Sequence, residues 1–158
     1  MTIAASVSQF LEEHSASYRV IPHAHSATSR ESAHAAGIRE DQVAKAILLR
    51  DAQGLVMAVI PASSSLDLRA VHDETGRNQL EMVAESELAK PFSDCELGAL
   101  PPIGPAYGIT TLVDSSLGRC DTVYFESGDH EGLVAMDGRD FDALLSSCHH
   151  ADLSKDWP

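Results

Sequence analysis

Cysteine, basic charge and long apolar runs are all scarce in this chain of 158 residues, and each scarcity excludes something. Three cysteines, Cys95, Cys120 and Cys148, make an odd number with no C-x-x-C pair, so a disulfide framework is not expected and a reducing, cytoplasmic setting is. No window approaches eighteen consecutive apolar residues, and the opening apolar stretch runs into Glu12, Glu13 and His14 without a basic segment before it. Neither a membrane span nor a signal peptide is therefore expected. Lysine and arginine number 11 against 24 aspartates and glutamates, a net charge of −13. Such a surface repels phosphate at long range, which argues against extended DNA or polynucleotide binding but leaves open a short nucleic-acid end read by a few local cations.

Catalytic signatures are equally sparse. There is no G-x-S-x-G elbow, and Ser63-Ser64-Ser65 has no base near it in sequence, so a serine triad is disfavoured. His23-Ala24-His25 and Cys148-His149-His150 are rich in ligand atoms, but neither has a recognised zinc spacing, and the second borders a polar C-terminal tail. No metal and no cofactor are expected. Internal repeats, low-complexity blocks and linkers are absent as well, and a 44% hydrophobic fraction over this length suits one domain spanning residues 1–158.

What is there reads as interleaved short elements. Val7, Phe10 and Leu11 at helical spacing predict a helix over 5–14, and Tyr18-Arg19-Val20-Ile21 alternates like a strand up to Pro22. Thr28 with Glu31 makes a capping box for a helix that Gly37 stops. Two apolar runs, 44–49 and 55–60, flank Asp51-Ala52-Gln53-Gly54 and predict a β-hairpin of central strands. A helix is expected over 66–71, a strand over 79–83, a helix over 85–90, strands over 109–113, 122–125 and 133–136, and a last helix over 138–147 capped by Asp137. The class is mixed α/β, an α+β arrangement with a mixed, largely antiparallel sheet rather than a doubly wound one.

Two features stand apart from this packing pattern. Glu96-Leu97-Gly98-Ala99-Leu100-Pro101-Pro102-Ile103-Gly104-Pro105 holds three of the seven prolines and two of the ten glycines, so it can be neither helix nor central strand. As a shaped loop it offers backbone N–H donors at Gly98, Ala99, Leu100, Ile103 and Gly104, which suit the polarising of a carbonyl oxygen; an ordinary turn-rich connection is the plainer reading. Lys45 opens an otherwise hydrophobic strand, either as a solvated surface lysine or as an amine reaching an anionic ligand.

In this order, Val43-Ala44-Lys45-Ala46-Ile47-Leu48-Leu49, then Val59-Ile60-Pro61, Leu66-Asp67-Leu68-Arg69, Gly98-Ala99-Leu100-Pro101-Pro102 with Ile103-Gly104, a strand ending in Asp114, and Ser127-Gly128-Asp129-His130, the chain resembles the YbaK/prolyl-tRNA-synthetase-associated editing family over nearly its whole length. Its most specific elements are the strand lysine, matched by Lys45, and the G-x-x-x-P loop, matched by Gly98 and Pro102. The resemblance implies a barrel-like mixed sheet flanked by helices. It also implies a stand-alone deacylase that hydrolyses the ester of a mischarged small amino acid on tRNA, with tRNA(Pro) the leading candidate. By the same resemblance Lys45 positions the 3′-terminal nucleotide, and Gly98, Ala99 and Leu100 offer N–H groups to the ester carbonyl. Pro102, Gly104, Ser127, Gly128, His130 and Asp114 are the candidate substrate-binding positions; the match around His130 is looser, because that turn varies within the family.

The competing readings stay in view. His130 is either a pocket residue or a surface histidine, Asp114 either a site residue or a cap for the turn after its strand, and Ser32 or Ala33 could form a wall that sorts amino acids by size. The whole chain could instead be a non-catalytic module that binds a tRNA 3′ end or a synthetase. Its acidity suits a protein that touches the acceptor end alone or borrows affinity from a synthetase partner.

Overall fold

The computed structural model describes residues 3–26, 28–84, 87, 94–95 and 99–156. Helix α1 (Ala5–Glu13) buries Val7 and Leu11, one helical turn apart, and strand β1 (Arg19–Pro22) follows. In α2 (Ser29–Ala36) the Thr28 hydroxyl accepts from the Glu31 N–H at 3.2 Å, and Gly37 ends the helix at φ 70°. This is the predicted capping box with its left-handed stop. Strands β2 (Val43–Asp51) and β3 (Gly54–Pro61) form the predicted hairpin, in register from Asp51 opposite Gly54 to Ala44 opposite Pro61.

Beyond the hairpin come β4 (Ser64–Leu66), α3 (Leu68–Thr75) and β5 (Glu81–Met82). The second half contains β6 (Thr110–Asp114), β7 (Thr122–Glu126), β8 (Gly132–Asp137), α4 (Gly138–Leu144), β9 (His149–Ala151) and β10 (Ser154–Asp156). The main sheet runs β1-β8-β7-β2-β3-β6-β9, with β5 added to β2. Its β1–β8, β8–β7, β2–β3 and β2–β5 pairs are antiparallel, whereas β2–β7, β3–β6 and β6–β9 are parallel. The sheet is mixed and flanked by helices, as expected; among the described residues its path stays open between β1 and β9.

Both faces of the hairpin are covered, which is why its strands read as nearly continuous apolar runs. Ala44 and Leu48 pack on one side with Met57, Val113, Phe125, Phe141, α1 and the loop residues Leu100 and Ile103. On the other side Leu49 and Ile60 pack with Val71 of α3, and Val43 packs with Ala33 of α2.

Several local expectations need correction. The helix expected over 66–71 starts only at Leu68, because the Asp67 carboxylate caps it by accepting from the Ala70 N–H at 3.3 Å. The strand expected over 79–83 shrinks to Glu81–Met82, and the helix over 138–147 ends at Leu144. The helix expected over 85–90 lies outside the described residues apart from Glu87. The polar tail is not a tail: β10 pairs with the serine stretch at β4, and β9 joins β6. Strands of three residues carry too little periodicity to be read locally, and these find partners far away in sequence.

Two expected outcomes follow. Arg77 grips Asp51 at the hairpin turn, Nε donating to Oδ2 at 2.8 Å and Nη2 to the Gly54 carbonyl at 3.1 Å. The guanidinium draws the Asp51 pKa down from 3.8 to about 2. A depressed carboxylate stabilises the fold above its unfolded pKa, and that contribution fades as pH falls from about 4 towards 2. Urea unfolding midpoints should therefore drop less steeply over this interval in Asp51→Asn than in wild type. Gly138 is a packing position, since a Cβ there would fall 1.9 Å from the Cys120 carbonyl oxygen. We expect Gly138→Ala to cost about 1–3 kcal/mol in denaturant unfolding, the usual range for overpacking.

Candidate functional site

Lys45 stands at a parting of strands. β7 pairs with β2 only as far as Ala44 opposite Phe125, and β5 takes up the same edge of β2 at Leu49 opposite Met82. Because side chains alternate, Lys45 shares its face with Val43 and Ile47, between the cluster under α2 and the cluster under α3. The lysine is neither fully solvated nor fully buried. Burial lowers the pKa of its amine, the Arg30 charge lowers it further, and Glu40 pulls the other way. A half-desolvated ammonium with carboxylate and guanidinium neighbours is a stronger point charge toward an anion than one in bulk water.

One residue past Phe125, the last β7 residue bridged to β2, stands Glu126, 1% exposed and paired with Leu133 of β8. Its Oε1 accepts from the Ser32 hydroxyl of α2 at 2.5 Å, and the Ser32 and Ser26 hydroxyl oxygens are 2.6 Å apart. Sequence reasoning offered Ser32 or Ala33 as a wall residue but missed Glu126 and Ser26. A charged residue closing the apolar run Val123-Tyr124-Phe125 looks like a strand reaching solvent, and nothing local says that a helix nearly a hundred positions earlier covers it.

The turn after β7 draws the candidates together. Ser127 donates its hydroxyl to Asp129 Oδ1 at 3.0 Å, and the same oxygen accepts from the Glu131 N–H at 2.9 Å. The Ser127 carbonyl accepts from the Ala4 N–H at 2.7 Å, tying the start of α1 to the turn. Gly128, at φ 121°, is closed in by Ala4 and Cys95; a Cβ there would meet their Cβ atoms at 3.0 and 3.2 Å. His130 is 2% exposed, so the surface reading of this residue is overturned. Its φ of 59° is left-handed, a conformation histidine tolerates better than most residues. Its ring meets that of His25 edge-on at 5.7 Å, and its carbonyl accepts from the Ser26 N–H at 3.2 Å.

The proline loop enters beside this turn. Asp94 and Cys95 precede it; Asp94 accepts from the Ser6 N–H at 2.8 Å and from the Tyr107 hydroxyl at 3.0 Å. Burial alone would raise the Asp94 pKa, but these hydrogen bonds hold it below the usual carboxylate value. Since Tyr107 closes the short helical turn Gly104–Tyr107, the bond clips the two ends of the loop together. Ala99, Leu100, Pro101, Pro102 and Ile103 are buried, and Gly98 lies outside the described residues. Gly104 is a packing glycine, because a Cβ there would collide with the Thr111 hydroxyl.

Asp114 lies apart from this constellation in its contacts. Buried to 3% exposure, its carboxylate accepts from Ser154 Oγ at 2.7 Å, Ser116 Oγ at 3.0 Å and the Leu153 N–H at 3.4 Å. It fastens the C-terminal strands to the end of β6. His149 and His150 are likewise engaged with acids, Glu74 at 2.6 Å and Asp142 at 3.0 Å.

The chain resembles a solved structure described as hypothetical protein APE2540, with TM-score 0.82, 21% identity, and 95% of this chain and 99% of that one covered. It resembles a structure described as a candidate trans-editing enzyme for prolyl tRNA synthetase, with TM-score 0.78, 22% identity and 96% of each chain covered. A candidate signal transduction protein from Marinobacter aquaeolei VT8 matches with TM-score 0.75 and 24% identity, over 96% of this chain but 30% of that one. These likenesses speak to the fold. No curated protein matches the chain. The aminoacyl-tRNA editing domain matches residues 23–144, a span that takes in Lys45, Ser32, the proline loop, Glu126 and His130, and the chain belongs to that family.

Proposed function

We propose that the chain, as one editing unit over residues 1–158, is a trans-acting deacylase that hydrolyses the ester between a mischarged small amino acid and the 3′ end of a tRNA, with tRNA(Pro) as its substrate. The observation that carries this reading is the editing-domain match over residues 23–144. Within that span, Lys45 and the His130 turn are linked through α2 and Glu126, beside the entry of the proline loop.

The chemistry asks little of the protein. Water adds to the ester carbonyl, the bond to the ribose oxygen breaks, and that oxygen leaves with a proton as the tRNA hydroxyl. What must be stabilised is the oxyanion between these steps, and fixed N–H donors are worth about 3–4 kcal/mol each in that role. Gly98, Ala99 and Leu100 are assigned to it, with Pro101 and Pro102 stiffening the segment and Pro102 lining the pocket. Lys45 is assigned to the 3′-terminal nucleotide as a point-charge clamp. Ser127, Gly128 and His130 would line the aminoacyl pocket. A chain of net charge −13 would touch the acceptor end alone, or gain affinity from a synthetase.

The test uses proline tRNA carrying alanine, cysteine, serine or threonine. We expect wild type to clear at least one of these esters and Lys45→Ala to slow it about 10- to 150-fold, the equivalent of one charge-assisted hydrogen bond of about 1.5–3 kcal/mol. Binding of the tRNA end with no hydrolysis would instead identify a non-catalytic module, and neither would overturn the assignment of substrate.

A further inference from the structure

We propose that Glu126, acting through Ser32 and Ser26, is a positioning residue that holds α2 and the His130 turn in place and thereby sets the size selectivity of the site; this rests on the deacylase reading above. Three separate segments meet in one hydrogen-bonded chain. Glu126 closes β7, Ser32 lies within α2, Ser26 precedes that helix, and the Ser26 N–H bonds the carbonyl of His130 in the turn after β7. Glu126 and Ser32 are 1% and 0% exposed. A carboxylate so far from water is strongly unfavourable unless donors satisfy it, so the Ser32 hydroxyl cannot leave without penalty.

The packing around α2 says why such a bond is needed. The helix is only eight residues long, too short to be stable by itself, and its apolar anchorage to the sheet is slight, Ala33 resting on Val43 and Ala62. Small apolar contacts are non-directional and would let the helix slide. A short hydrogen bond to a fixed strand end has a required distance and angle, and it sets the register of α2 on β7. Moving α2 also moves Arg30, whose charge acts on Lys45, while moving Ser26 disturbs the backbone that carries His130. One relay thus governs α2, the turn and the surroundings of the lysine together. A pocket that sorts amino acids by a methylene or two has little discrimination to spare, and an ångström of play would erase it.

The test compares kcat/KM and KM on proline tRNA carrying alanine, serine, threonine or proline for wild type, Ser26→Ala, Ser32→Ala, Glu126→Ala and Glu126→Gln, with thermal unfolding in parallel. We expect wild type to rank the esters by size. Ser32→Ala and Glu126→Ala should shrink the ratio between the best and worst esters about tenfold, within the range that pocket fit supplies, chiefly through kcat. Glu126→Gln keeps an acceptor oxygen for Ser32 and should recover most of that ratio. Ser26→Ala removes only the outer link, at a residue 9% exposed, and should shift the ratio the same way at smaller cost in stability. Loss of melting temperature with the wild-type ratio intact would overturn the proposal, as would Gln performing no better than Ala. Wild-type activity without size ranking would overturn this inference alone, whereas wild-type inactivity toward every ester would overturn the deacylase reading and this inference with it.

Discussion

The divergence of β7 from β2 after the Ala44–Phe125 pair is the constraint on which the rest of the site depends. While two strands are bridged, their backbones satisfy one another and their side chains pack at fixed spacing. Where they part, the next residues of the two strands present side chains that something else must satisfy. Here those groups are the Lys45 amine, whose charge Glu40 favours and Arg30 disfavours, and the Glu126 carboxylate, to which α2 supplies the Ser32 hydroxyl. The buried Glu126 and the half-buried Lys45 both lie where these two strands part.

A second constraint acts on the loop and the turn. Among the described residues, neither residues 99–103 nor Ser127-Gly128-Asp129-His130 lies in a strand, so each needs its conformation held from outside. The bonds that do this come from α1 and from the loop's own far end: Ser6 and Tyr107 to Asp94, and Ala4 to Ser127. Helix α1 thereby serves as a brace between loop and turn, while its Val7 and Leu11 keep it seated on the core. Such preorganisation costs side-chain and backbone freedom during folding, so that donors need not be rearranged when charge develops on a substrate.

The sheet also explains why Asp114 belongs to the fold rather than to that cluster. It ends β6 opposite Ala151 of β9, and its oxygens are taken by Ser116, Ser154 and Leu153. A buried carboxylate satisfied by three donors is a fastener for the last strands of the chain.

What the amino-acid order by itself determined is whatever is encoded within a few residues: the Thr28–Glu31 box and its Gly37 stop, the hairpin about Asp51-Ala52-Gln53-Gly54, and the singling out of Lys45 as the odd cation in an apolar strand. The series of motifs was enough to point to the editing family. What only the tertiary structure decided is which distant segments meet. The parallel pairings β2–β7, β3–β6 and β6–β9, the β4–β10 ladder, and the burial of Glu126 and His130 follow from long-range competition for backbone partners and apolar cover. No local periodicity records that competition, and a glutamate that ends a strand looks the same in sequence whether water or Ser32 awaits it.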